Sequence, residues 1–482
     1  MGNSKSPGKQ VYKSYFSSIC TVRSNPNVKM FQIDDLEFER AIDHTLLKSE
    51  LNSFIRKGEI NENKFKVLDI NSQEKEYNRI LRSKLKSSDG DTVEEHDQFY
   101  RDHKLLLILF RVLAVMPILR SSPGRITFSW KSIATIYAIV FWCIMTIVVV
   151  IVGRERLHIL HTTKQFDEYI YAVIFVIYLV PHFWIPFVGW GVAGEVAKYK
   201  TSWGAFQLRF YRVTGTSLQF PRLKILIVII SIGCLLCAVL FLLSLSFLLD
   251  GYPLWHTLAY YHIIMMINMN CALWYINSRA IKAASYSLAA CFRKEVYKEC
   301  TASVVSKYRF LWLNLSELLQ SLGNAYARTY STYCIFIFVN IAIAVYGAIA
   351  EIVDHTEGYR VSYKEIGLIV DAVYCSTLLF IFCDCSHNAT LGVAKGVQNT
   401  LLCIDLHHAD KEAKNEIDLF IVAIELNPAI VSLKGYVNVN RKLLTSVSLV
   451  FLLLRVIKLI LFLQIFIVNS DDYDLLTRPY SI

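Results

Sequence analysis

Charged side chains are scarce in this chain of 482 residues: Asp, Glu, Lys and Arg make up 19% of it, while 54% of its residues are hydrophobic. A soluble chain of similar length carries about 25% charged and about 45 to 50% apolar residues. The shortage of charge excludes a disordered protein and indicates one that places much of its surface in lipid.

The chain also lacks the residue clusters typical of metal centres and enzymes. Among its 12 cysteines, only Cys234 and Cys237 have the CxxC spacing, and they lie in an apolar run rather than in a metal-binding loop. The pair His158 and His161 is more typical of a solvated surface than of a ligand site. We therefore expect neither an enzyme nor a bound cofactor or metal.

A net charge of +10 is compatible with nucleic-acid binding. However, the lysines and arginines lie in short segments between apolar runs, which is the pattern of a membrane protein. We expect membrane lipid, and no nucleic acid, as the surroundings of this chain.

Seven apolar runs approach the roughly 20 residues that a bilayer core requires. They must be helical because lipid offers no partner to free backbone groups, and they lack the alternation of barrel strands. Pro181 and Pro186 predict a kink in the second run. The runs cover residues 130–152, 169–192, 223–249, 255–276, 330–352, 366–385 and 443–468.

Positive residues indicate the orientation of these spans. They are concentrated before the first span and after the second, fourth and sixth, so the N-terminus is predicted in the cytoplasm and the C-terminus outside. The predicted organisation is a cytoplasmic arm (1–103), spans one to four (104–278), anchor helices (279–329), spans five and six (330–388), an anchor segment (389–441), the last span (442–468) and an extracellular tail (469–482).

The first six residues, MGNSKS, fit the pattern for N-myristoylation, in which Gly2 is acylated. The first 20 residues have no apolar core of a signal peptide. Both features favour an N-terminus in the cytosol.

Several blocks of the sequence resemble the insect gustatory receptors. They are YRFLWLNLS at 308–316, AIELNP at 423–428 and the last span with Gln464. Within that family, other blocks resemble the carbon dioxide receptor branch: FRVLAVMPILR at 110–120, RLHIL at 156–160, KEIGL at 364–368, CDCSH at 383–387 and GYVNVNR at 435–441. The resemblance covers residues 104–468 and leaves the N-terminal arm unmatched.

The resemblance implies a fold and a function. The family has seven helices with the N-terminus inside, and four subunits assemble as a ligand-gated, non-selective cation channel, here expected in the plasma membrane of sensory neurons serving taste. The carbon dioxide branch implies co-assembly with related subunits as a homo- or heterotetramer. The alternative is a seven-helix receptor that needs a separate transducer. The sequence does not distinguish carbon dioxide, bicarbonate and an odorant as the stimulus.

The last span is the candidate pore. On a helical projection one apolar face carries a single amide, and a hydrophobic constriction with one polar ring suits a poorly selective cation pore. The alternative is an ordinary packing face with a tolerated Gln. The face comprises Leu453, Ile457, Ile460, Leu461, Gln464 and Val468.

The family places ligands among the outer halves of the helices. The acid in the sixth span is costly in lipid and should face a cavity or a cation. Aromatic residues at these positions also serve as interfacial anchors. The residues that topology places at this pocket are Tyr169, Tyr178, His256, Tyr260, Asp371 and Tyr374.

Two basic residues of the last span, Arg455 and Lys458, project away from the pore face. An intramembrane cation predicts an ion pair, with Asp371 or Asp384 as the partner of Lys458. A second hypothesis is that Lys458 is a neutral amine that combines reversibly with carbon dioxide as a carbamate and so biases the gate.

The anchor regions carry apolar stripes at helical spacing. Such stripes require a covering helix, which is either another part of the chain or, as the resemblance favours, a neighbouring subunit. The stripe residues are Phe310, Leu311, Leu315, Leu318, Leu319 and Leu322, followed by Ile417, Phe420, Ile421 and Ile424.

Overall fold

The structure is a computed structural model that describes residues 95–122, 124–162, 166–248, 254–354, 363–404 and 409–445. Long helices dominate these residues, so the predicted all-α membrane architecture is confirmed. The helices are α1 (Gln98–Val112), α2 (Ile133–Thr162), α3 (Phe166–Thr214), α4 (Leu223–Leu248), α5 (Thr257–Lys298), α6 (Ala302–Asp354), α7 (Tyr363–Leu402) and α8 (Lys411–Leu426).

Short pieces of other structure connect them. The described part contains two antiparallel hairpins, β1 (Leu119–Ser122) with β2 (Arg125–Thr127), and β3 (Ser432–Leu433) with β4 (Val437–Asn438). A 3-10 turn (Leu254–His256) leads into α5, and residues 441–445 begin a further helix.

Five helical segments of the described part are long and apolar enough to cross a membrane. Their outward residues, such as Ile147 on α2 and Leu240 on α4, are exposed in the isolated chain. Such apolar exposure suits contact with lipid. The segments are Ile133–Thr162, Ala172–Thr214, Leu223–Ser244, Ala302–Ile349 and Ile366–Leu402.

The fourth predicted span lies in α5, which is helical but falls outside that set of five. Every residue from 262 to 274 is buried, and Asn268 and Asn270 are among them. Because other helices pack around α5, its surface need not be apolar enough to face lipid. Its contacts extend to α2, α3, α4, α6 and α7.

Four of the described helices, α3, α5, α6 and α7, have 40 residues or more. A helix rises about 1.5 Å per residue, so the 49 residues of α3 and the 53 of α6 extend well past a core of about 30 Å. α3 continues through Pro181 and Pro186 as one helix. The predicted domain boundaries at 278/279 and 329/330 fall inside α5 and α6, so these anchor regions are continuous with their spans.

Candidate ligand pocket and gating elements

An acid and a phenol meet between α7 and α3. The Tyr178 hydroxyl donates a hydrogen bond to Oδ1 of Asp371, and the Cys375 Sγ, one turn along α7, lies 3.9 Å from the same oxygen. Asp371 is only 3% exposed. An acid in a span costs about 2.5 to 3.5 kcal/mol on insertion scales, and this hydrogen bond offsets part of that cost.

Tyr374 lies one turn from Asp371 and extends the group. Its hydroxyl donates to Asn268 Oδ1 at 2.7 Å, and its ring stacks on Phe241 with centroids 4.5 Å apart. The Tyr178 ring packs edge-on against Phe336 at 5.7 Å. The structure therefore brings three predicted pocket residues together, and α4, α5 and α6 add side chains to them.

Asn268, Phe241 and Phe336 were not predicted from the sequence. A pocket residue on α4 or α6 has no signal in an apolar run, because aromatic residues are common there. Asn268 is different, because an amide within an apolar span must find hydrogen-bond partners, and this requirement could have identified it from the sequence.

A second group lies at one end of the same helices. His256 Nδ1 accepts from Arg156 Nη2 at 3.0 Å, which leaves the proton on Nε2 to face Glu155 Oε2 at 2.8 Å. The Arg156 guanidinium lies over the Phe175 ring at 4.5 Å, and the Tyr260 hydroxyl donates to the Phe175 carbonyl oxygen at 3.2 Å.

Phe175 connects the two groups, since it lies one turn of α3 from Tyr178. A second connection runs along α5, which carries both Tyr260 of this group and Asn268 of the first group. The sixth predicted residue, Tyr169, is 46% exposed, which is the position of an interfacial aromatic anchor. Its assignment to the pocket stays a prediction.

The start of the last span is tied to α7. The Asn440 Oδ1 accepts from the backbone N–H groups of Lys442 and Leu443 at 2.9 and 3.2 Å, as a helix N-cap does. Arg441 forms a salt bridge with Asp384. Because Asp371 and Asp384 lie on one helix, about 20 Å apart at 1.5 Å per residue, α7 joins the candidate pocket residues to the start of the last span.

The predicted pore face and the pair Arg455 and Lys458 lie outside the described residues, as does Gly2. These assignments stay predictions. Of the two acids predicted as partners of Lys458, Asp384 already forms a salt bridge with Arg441.

The apolar stripes of the anchor are covered within this chain, which corrects the expectation of a subunit contact at these positions. Most of the stripe on α6 is fully buried, and Phe420 of α8 packs against Trp312 with ring centroids 6.0 Å apart. Arg309 also forms a 3.2 Å ion pair with Glu416 of α8. Phe310, 55% exposed, is the stripe residue that remains available to a partner.

The hairpin β3–β4 precedes the last span and rests on α6. A side chain at Gly323 would overlap the carbonyl oxygen of Ser432 and lie 3.1 Å from that residue's backbone N and C. Gly323 thus allows the hairpin backbone to approach the helix closely.

Within the described residues, no group of three or more His, Cys, Asp or Glu side chains could hold a metal ion. The polar groups on α3, α5 and α7 can instead form hydrogen bonds or ion pairs with an organic ligand, among aromatic rings.

Comparisons with known proteins agree on a sensory role. A family model described as 7tm chemosensory receptor matches residues 103–467. Gustatory and odorant receptor 22 of Anopheles gambiae is 41% identical over 380 residues, covering 76% of this chain and 79% of the relative. Gustatory and odorant receptor 21a of Drosophila melanogaster is 39% identical over 360 residues, covering 73% and 78%.

Among solved structures, the insect olfactory receptor OR5 from Machilis hrabei aligns with a TM-score of 0.46 and 12% identity. The alignment covers 76% of this chain and 99% of that one.

Proposed function

The chain belongs to the 7tm chemosensory receptor family, among the insect gustatory receptors, and from that premise we propose that it is one subunit of a ligand-gated, non-selective cation channel. The observation that carries the proposal is the extent of the family match, which includes both the pocket helices and the predicted last span. The channel acts in the plasma membrane of a sensory neuron.

Ligand binding opens the channel through α7. A ligand that contacts Tyr178, Asp371 or Tyr374 changes the position of this helix, and Asp384 on the same helix holds Arg441 at the start of the last span. A ligand shifts the balance of open and closed states only as far as it binds one better than the other. The pocket and the salt bridge therefore belong to one two-state element.

The last span lines the conduction path. Its stripe of Ile457, Ile460, Leu461 and Val468 carries one amide, Gln464, on the same face. Four such helices around an axis form an apolar constriction with a single polar ring, which conducts when wetted and closes when dry.

The stimulus is carbon dioxide, and related gustatory receptor subunits complete the tetramer. The support is the set of sequence blocks that resemble the carbon dioxide branch, among them CDCSH at 383–387 and GYVNVNR at 435–441. These two blocks contain Asp384 and Arg441, so part of the resemblance falls on the residues that join α7 to the last span.

Recording in planar lipid bilayers tests the proposal. The purified chain, alone and with related subunits, should pass cation current without any added transducer when dissolved carbon dioxide rises at clamped pH. A bicarbonate arm and an odorant arm identify the stimulus. Binding without current in every subunit combination would favour the alternative, a seven-helix receptor that signals through a separate transducer.

A further inference from the structure

The buried acid of the pocket has one oxygen without a hydrogen-bond partner among the described residues. Oδ1 of Asp371 accepts from Tyr178, whereas Oδ2 has no donor although it is fully buried. A buried acceptor without a hydrogen-bond donor destabilises the fold, most strongly when it is charged. The site therefore has the chemistry to receive a donor, preferably a positive one.

Aromatic rings pack against Tyr178, which bonds this acid, and against Tyr374, one turn along the same helix. The Phe241 ring lies between the rings of Tyr374, at 4.5 Å, and Tyr178, at 6.1 Å, while Phe336 contacts Tyr178 from α6. The two tyrosine hydroxyls are already engaged as donors. Phe241 and Tyr374 cover one face of each other, so the opposite faces of these two rings are the ones that can attract an organic cation.

We infer that Asp371 Oδ2 receives a small organic ammonium ion, held against the rings of Phe241 and Tyr374. The ion donates an N–H to the carboxylate, and its alkyl part contacts the aromatic faces. A hard metal cation is the poorer fit, because it requires several oxygen ligands and this cluster offers mainly rings. The inference rests on the proposed function, since it adds a second ligand class, beside carbon dioxide, that acts on the same pocket.

Asn268 indicates what else such a ligand carries. Its Oδ1 accepts from Tyr374, while its Nδ2, also buried, has no acceptor among the described residues. An amine with an oxygen atom a short distance from the nitrogen would satisfy both orphaned groups. Such an amino alcohol or amino ether should bind more tightly than the simple alkylammonium.

Binding to the purified full chain in lipid nanodiscs tests this inference. Methylammonium chloride at pH 7 is the probe, followed by saturation-transfer difference NMR, and methanol is its neutral counterpart of similar size. We expect saturable binding of methylammonium only. Asp371→Asn should weaken it by about tenfold or more, the effect of losing a charge-assisted hydrogen bond.

Two further variants keep the outcome decisive. Phe241→Leu retains an apolar side chain and removes a ring face, so it should weaken binding severalfold even where Asp371→Asn misfolds. Asp418→Asn removes an exposed carboxylate on α8 and should leave binding unchanged. Equal binding of methanol, or full binding in both pocket variants, would overturn the inference.

The ammonium of Lys458 offers the same chemistry from within the chain. If Lys458 occupies the site, methylammonium will bind the Lys458→Met variant but not the natural chain. That result would also overturn the inference that a free ammonium ion binds Asp371. No current is measured in these experiments. A failure to bind therefore leaves the channel proposal standing, and a failure to conduct in bilayers leaves the binding result standing.

Discussion

Arg441 holds Asp384 through two nitrogens at once: Nε lies 2.8 Å from Oδ1, and Nη2 donates to the same oxygen. The other carboxylate oxygen accepts from Asn388 Nδ2 at 2.8 Å. The salt bridge thus joins the first turn of the last span to the middle of α7. Arg441 and Asn388 together fix the orientation of the Asp384 carboxylate, one at each oxygen.

Breaking this salt bridge should change ligand sensitivity rather than conduction. Arg441→Met and Asp384→Asn are each expected to shift the half-activating stimulus in the same direction, and the double variant should shift it little further. Since both side chains are partly exposed, with 56% and 27% of their surface accessible, the coupling should be about 0.5 to 1 kcal/mol, or roughly two- to fivefold. Dose–response currents measure it.

Lys434→Met provides the control, because it removes an exposed positive charge from the neighbouring hairpin. It should leave the half-activating stimulus unchanged. Exchange of the pair, Arg441→Asp with Asp384→Arg, should restore part of the natural sensitivity. Fully additive shifts in the double variant would show that the two residues act independently.

Gly323→Ala should destabilise the region that leads into the last span. The new methyl group would overlap the backbone of Ser432, and backbone cannot rotate away as a side chain does. We expect a loss of about 1 to 3 kcal/mol, which outweighs the gain in helix propensity of about 1 kcal/mol. The thermal unfolding midpoint of the purified protein measures this loss.

The matched change is Gly194→Ala on α3, where nothing lies within 4 Å of the added methyl group. It should be neutral or slightly stabilising. Equal midpoints for the two variants would contradict the close approach of hairpin and helix.

Acidification should loosen helix α1, the first helix of the described residues. His103 is fully buried there, its Nδ1 bonds the Phe99 carbonyl at 3.0 Å, and burial, together with the nearby Lys200 charge, holds its pKa well below 6.5. Phe99 in turn stacks on Trp203 of α3 at 4.2 Å. Protonation of His103 is thus incompatible with the docked helix.

The sign follows from the lowered pKa. The unfolded histidine gains its proton below about pH 6.5 while the folded one does not, so stability is full above that pH and falls as pH drops. At pH 5.5 the loss is about 1.4 kcal/mol. Hydrogen exchange of α1 at pH 7.5 and 5.5 measures it, after correction for intrinsic rates. His103→Phe should abolish this loss, whereas His158→Phe, at an exposed site, should retain it.

The sequence predicted the helices well because a bilayer imposes a minimum length of apolar residues, and five of the six spans within the described part satisfy it. α5 shows the limit of that rule. Its burial by neighbouring helices allows Asn268 and Asn270 inside a span, so hydropathy alone understates it.

The contacts among the candidate pocket residues were predicted only in part, for a different reason. Topology placed Tyr178, Asp371 and Tyr374 at a similar depth, but which faces meet depends on helix rotation and packing, which one sequence does not contain. The stripe of α6 shows the same limit. Its spacing predicts a covered face, yet α8 of the same chain covers it rather than a partner.

The last span offers the most direct test of the channel itself. Gln464 is the single amide on its predicted apolar face, so in a tetramer four amides would form one polar ring. Gln464→Ala should widen and dehydrate that ring. The permeability of large organic cations relative to sodium is expected to change by about twofold or more, which needs only a few tenths of a kcal/mol. Reversal potentials under bi-ionic conditions measure this change, and surface labelling checks that expression is unaffected. Leu463→Ala, on the adjacent position of the helix and off the face, should leave the ratio as it is. Unchanged selectivity in a Gln464→Ala channel that still opens would show that Gln464 does not line the pore.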